Sequence, residues 1–135
     1  MANQQKSKSL NICLWIAQVI LAAMFIMAGV MKTMQPIEEL AKSLPWVNEV
    51  SYGLVRFIGV SELLGGIGLL LPSLLRIKPV LTPLSALGLV IVMVLAFVYH
   101  VVKAEYAALP MNVILAGLAL FVAWGRYKKV PVTEK

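Results

Sequence analysis

The run ICLWIAQVILAAMFIMAGVM, Ile12 to Met31, carries one polar side chain, Gln18, in an otherwise apolar segment. Wound into a helix it spans about 30 Å, the thickness of the hydrocarbon core of a bilayer. Three more runs of this character follow, Leu54–Leu71, Val80–Val102 and Ala108–Trp124. The chain has 135 residues, 61% hydrophobic and 13% charged, and a soluble domain of that size has too little interior to hide so much apolar surface. Backbone groups in lipid must be bonded within their own segment, so each run is read as a helix. The expected fold is all-α: an integral membrane protein built as an antiparallel up-down-up-down four-helix transmembrane bundle. Residues 10–127 make the bundle, 1–9 a loose polar N-terminal tail and 128–135 a basic C-terminal tail.

The net charge of +6 is assigned to the membrane and not to nucleic acid, because Lys and Arg concentrate beside the spans. Lys6, Lys8, Arg76, Lys78, Arg126, Lys128, Lys129 and Lys135 fall at the end that carries the termini; Lys32, Lys42, Arg56 and Lys103 fall at the other. The positive-inside rule then puts both termini in the cytoplasm and the segments Thr33–Gly53 and Lys103–Ala107 outside. The first apolar run is longer than the roughly 7–15 residues of a signal-peptide core and no small-x-small site follows it, so it reads as an uncleaved span. The single cysteine, Cys13, excludes an internal disulfide and a Cys-x-x-Cys redox pair.

Between Pro36 and Pro45, Ile37, Leu40, Ala41 and Leu44 recur at helical spacing. This predicts a short amphipathic helix on the outer surface, with Trp46 and Tyr52 as interfacial anchors. The second span is expected to end near Pro72. Pro79 and Pro83 open the third, and Pro110 lies in the first turn of the fourth, where a missing amide costs nothing.

At about 100° per residue, Gln18, Ala22, Phe25, Gly29 and Lys32 share one face of the first helix. Gly59, Glu62 and Gly66 share a face of the second, and Asn112, Ala116, Ala119 and Ala123 a face of the fourth. Small residues let membrane helices approach closely, so Gly29, Gly59 and Gly66 are read as packing positions. The topology gathers Lys32, Arg56, His100 and Asn112 at the outer ends, with Glu62 about 12 Å deeper than Leu54. Intramembrane ionisable groups face the bundle or a wet cavity and pair with one another. These five residues are therefore the expected lining of an outward-opening polar pocket with Glu62 at its floor. Structural alternatives stay open for each: Lys32 and Arg56 as snorkelling cations, His100 as an interfacial hydrogen-bonder, Asn112 as a helix bridge, and Glu62 in a plain ion pair with Arg56 or Lys32. One histidine and one deep carboxylate make too thin a ligand set for a metal, and no self-contained catalytic motif is present.

The motifs GVMK (Gly29–Lys32), RFIGVSELLGG (Arg56–Gly66), FVYH (Phe97–His100) and PMNVILAGLAL (Pro110–Leu120) resemble the DoxX-like family of small four-helix membrane proteins, over about residues 10–127. The resemblance implies a shared polar pocket built from Lys32, Glu62, His100 and Asn112, and a place in the bacterial inner membrane. Roles linked to the family differ in class, from thiosulfate:quinone oxidoreduction to oxidative-stress complexes. The expected activity is binding of a small amphipathic ligand, a quinone or lipid, or assistance to a membrane protein partner, which could be a second copy of the chain. The alternatives are a quinone-linked oxidoreductase subunit and, less favoured, a small proton-coupled exporter.

Overall fold

The computed structural model describes residues 2–134, with side chains from Lys8 onward. Helix α1 runs Ala2–Met34, α2 Ile37–Ser43, α3 Tyr52–Leu75, α4 Leu81–Val102 and α5 Leu109–Trp124, which continues as a π-helical turn over Gly125–Lys129. Four of them, α1, α3, α4 and α5, are long and apolar enough to cross a membrane. Consecutive spans pack side by side, α1 on α3, α3 on α4 and α4 on α5, and α5 closes the ring against α1. This is the expected all-α up-down-up-down bundle.

The core holds Leu21, Phe25, Leu69, Leu89, Met93 and Val122, while Phe57, Leu64, Ile91 and Leu95 stand outward. An apolar rim around an apolar core is the pattern of a helix set whose solvent is lipid. At the end away from the termini, α2 and a 3-10 turn over Pro45–Asn48 fold back on the bundle, and Leu40, Val47 and Val55 close a second small core. The short helix thus has the spacing expected of it, but its apolar side is spent on protein contact.

Two helices run further than expected. The polar segment Ala2–Ser9 is helical and continuous with α1. Once the apolar run has nucleated a helix, each added residue fixes one pair of dihedrals for one hydrogen bond, so extension is cheap. Helix α3 likewise passes through Pro72 and stops three residues later, at Leu75, where Arg76 with a left-handed φ of 56° turns the chain. Pro72 has no N–H to give the Gly68 carbonyl, four residues back. Thr82 of α4 supplies the missing donor: its hydroxyl bonds the Gly68 oxygen at 3.0 Å and lies 2.7 Å from the Ser73 hydroxyl. Thr82→Val should therefore lower stability by about 1–3 kcal/mol, the cost of orphaning a buried acceptor, read as a shifted midpoint in a denaturant titration of the reconstituted protein. Ser85→Ala, on the same face but outside this network, should cost less.

Candidate functional site

Lys32 sits in the last turn of α1, where its chain reaches across to α3. The approach is set by two glycines. A Cβ on Gly29 would lie 2.6 Å from the Leu63 backbone nitrogen and 2.7 Å from the Gly59 oxygen. One on Gly59 would lie 2.7 Å from Lys32 Cβ. Backbones this close leave Lys32 Nζ against Glu62 Oε1, and the two form an ion pair with side-chain exposures of 12% and 3%. Gly66, one turn deeper, meets Ile26 in the same way. The lysine ammonium also lies 5.7 Å from the centre of the Trp46 ring, inside cation–π range.

Above the pair, side chains from the first loop and α4 form a cover. Tyr99 meets Trp46 edge-on at 6.3 Å and donates its hydroxyl to Glu49 at 2.9 Å. His100 packs edge-on against Tyr99 at 5.6 Å and its Nδ1 lies 3.1 Å from Glu105 Oε1. A continuous row thus runs Lys32, Trp46, Tyr99, His100, Glu105 across the end away from the termini.

The five sequence-predicted residues are not all brought onto one another. Lys32 and Glu62 meet. Arg56 turns from Glu62 toward the end of α1, donating to the Lys32 carbonyl at 2.8 Å and to the Tyr52 hydroxyl at 2.6 Å. Its choice is local: α1 ends there with carbonyls that lack intrahelical partners, and Tyr52 is one turn away on the same helix face. His100 takes Glu105 in place of Glu62 because the short loop after α4 returns that carboxylate beside it. Asn112 is buried and directs its amide at Met93 Sδ, 3.6 Å away, a weak acceptor. No group of three or more His, Cys, Asp or Glu that could hold a metal occurs among the described residues.

A second polar cluster, at the opposite end, was missed by sequence reasoning. Arg126 is 3% exposed and sits 5.1 Å over the Trp15 ring. Its Nε donates to Gln18 Oε1 at 2.6 Å; Nη1 donates to Asn11 Oδ1 at 2.7 Å and the Val130 carbonyl at 2.8 Å. Gln18 in turn donates to the Leu69 carbonyl at 2.6 Å, tying α1 to α3. The signal was present: Arg126 lies three residues beyond Ala123 on the small-residue face of α5, and Asn11 lies seven before Gln18 on α1.

Against this geometry, the model of the DoxX-like family matches residues 16–122, from α1 into α5. The chain belongs to the DoxX-like family. The match takes in Lys32, Glu62 and the residues around them named above, whereas Arg126 lies beyond it. No curated protein and no solved structure matches the chain. This DoxX-like protein is therefore a small multi-pass membrane protein.

Proposed function

We propose that this DoxX-like protein binds a small amphipathic molecule, a quinone or lipid, whose polar head is met by Lys32 and Glu62. One observation supports the reading above the rest: a donor and an acceptor of opposite charge are held together deep between α1 and α3, under a cover drawn from the first loop and α4. A headgroup carbonyl accepts from the lysine and a headgroup hydroxyl donates to the carboxylate, so one small polar head can replace the pair's mutual contact. Arg56, His100 and Asn112 take partners other than Glu62, the Lys32 carbonyl, Glu105 and Met93 in turn, which leaves the carboxylate to Lys32 and the ligand.

The placement in a bacterial inner membrane with cytoplasmic termini is part of the same proposal, supported by the excess of Lys and Arg at the terminal end. A quinone-linked subunit is the weaker alternative. Proton relay at a quinone head asks for a second titrating group beside Glu62, and His100 is occupied by Glu105.

The test is retention of ligand. Protein exchanged into nanodiscs containing decyl-ubiquinone, then released for native mass spectrometry, is expected to carry quinone or lipid in the wild type. Glu62→Gln should lose most of it while Ser61→Ala, on the neighbouring position whose hydroxyl bonds the Phe57 carbonyl of its own helix, keeps it. Equal retention by both variants, or none by the wild type, would turn the interpretation to a structural ion pair or a protein partner.

A further inference from the structure

At the terminal end of the bundle a groove of about 740 Å³ lies between α1, the end of α3 and the segment after α5. It is lined by Lys8, Arg76 and Arg126 on its polar side and by Trp15, Leu74 and Val132 on its apolar side. Among the described residues no carboxylate lines it. The positive-inside rule accounts for cations at this end, but it puts them in water and headgroups, and Arg126 is buried.

The burial has a consequence for charge. The three partners of Arg126 are two side-chain amide oxygens and a backbone carbonyl, all neutral. Among the described residues no carboxylate forms an ion pair with it, and its Nη2, also buried, has no hydrogen-bond partner. A guanidinium taken out of water without a counter-charge is costly, and its planar fork is matched by the paired oxygens of a phosphate or carboxylate. Two of its anchors, Asn11 and Val130, line the same groove. Arg76 stands on the facing wall and holds the Thr133 carbonyl at 2.8 Å, fixing the segment that borders the groove.

We infer that this groove is an anion site that takes the phosphate head of an anionic lipid, with the Arg126 guanidinium, which no carboxylate neutralises, at its base and Arg76 and Lys8 as the outer cations. The lipid is favoured over a free phosphate because Trp15, Leu74 and Val132 give an acyl chain an apolar wall beside the cations, and basic pockets between spans suit such heads. The site is separate from the Lys32–Glu62 pair, which lies at the other end of α1.

Delipidated full-length protein is titrated with phosphatidylglycerol and phosphatidylcholine of matched chains, and bound lipid is counted by native mass spectrometry. Phosphatidylglycerol should bind tighter by roughly fivefold or more, the order expected when one or two basic residues gain an anionic partner. Arg126→Gln should abolish the preference. Because that variant also breaks the Gln18 network, Arg76→Gln, at an exposed position, is the second arm and should reduce the preference while the bundle melts as before. Glu62→Gln should leave it unchanged, which separates this site from the proposed outer one. Equal binding of the two lipids, or a preference untouched by both arginine variants, would overturn the inference. Displacement of the lipid by an equimolar amount of inorganic phosphate would overturn the lipid as the source of the anion.

Discussion

Replacing Lys32 by methionine will destabilise the bundle by about 3–5 kcal/mol, the cost of leaving one half of a buried ion pair uncompensated. Glu62→Leu will cost less. The asymmetry follows from where the two charges sit. Glu62 is 3% exposed in the body of α3, with no second cation bonded to it. Lys32 is 12% exposed in the last turn of α1, beside the face of Trp46, and its four-carbon stem lets the ammonium slide outward to the headgroups once its partner is gone. The double variant Lys32→Met/Glu62→Leu should recover most of the loss, since a buried pair traded for apolar groups of similar volume is near neutral. Unfolding midpoints of the three variants in lipid bicelles decide it. Additive losses, with no recovery in the double variant, would mean that Lys32 and Glu62 act independently and that the pair holds nothing together. If the double variant recovers stability yet loses ligand, the charges are kept for binding and not for the fold.

The pair was legible in the sequence because Glu62 is the one carboxylate inside a span and any cation able to reach it had to come from a helix end on the same side of the bundle. Its partner was not unique on that argument. Arg56 and His100 stood equally close by helix arithmetic, and what decided against them were acceptors the arithmetic does not count: the free Lys32 carbonyl, the Tyr52 hydroxyl one turn back and Glu105 in a tight loop. Near a helix end a cation has backbone as well as side chains to choose from. The spans and their order were readable for a different reason, since the lipid imposes one length and one secondary structure on every apolar run. Arg126 escaped because a basic residue just past a span is assigned to the headgroups by default. Its helix face and the spacing of Asn11 and Gln18 carried the contrary information, which counts only when polar residues on two helices are compared together. The Gly68–Thr82 bond was readable in half: Pro72 announces a carbonyl without its amide, but which neighbouring hydroxyl supplies the donor depends on how α4 docks.

The other large effect belongs to Gly29. A methyl there would sit 2.6 Å from the Leu63 nitrogen, 2.7 Å from the Gly59 oxygen and 2.8 Å from Leu63 Cα. Those atoms are backbone, so no rotamer change relieves the clash; α1 and α3 must move apart. Overpacking of this kind costs about 1–3 kcal/mol, and the upper end applies where the neighbour is main chain. Gly65 provides the contrast within α3, because the nearest atoms a methyl there would meet belong to the side chain of Leu89 and not to backbone. Gly88 and Gly117 provide the opposite sign: nothing lies within 4 Å of an added methyl at either, and alanine in a helix interior gains up to about 1 kcal/mol over glycine. Gly29→Ala should thus fall well below wild type in midpoint, Gly65→Ala slightly below it, and Gly117→Ala above it. The separation of the helices reaches the site as well. Gly59, the next glycine of the same seam, packs on Lys32 Cβ, so moving α3 outward draws Glu62 away from the lysine. Gly29→Ala should therefore lose ligand along with stability, whereas Gly65→Ala, facing α4, should keep it. A Gly29→Ala protein that melts with the wild type would show that α1 and α3 do not pack backbone to backbone in the membrane, and the close approach that sets Lys32 against Glu62 would fall with it.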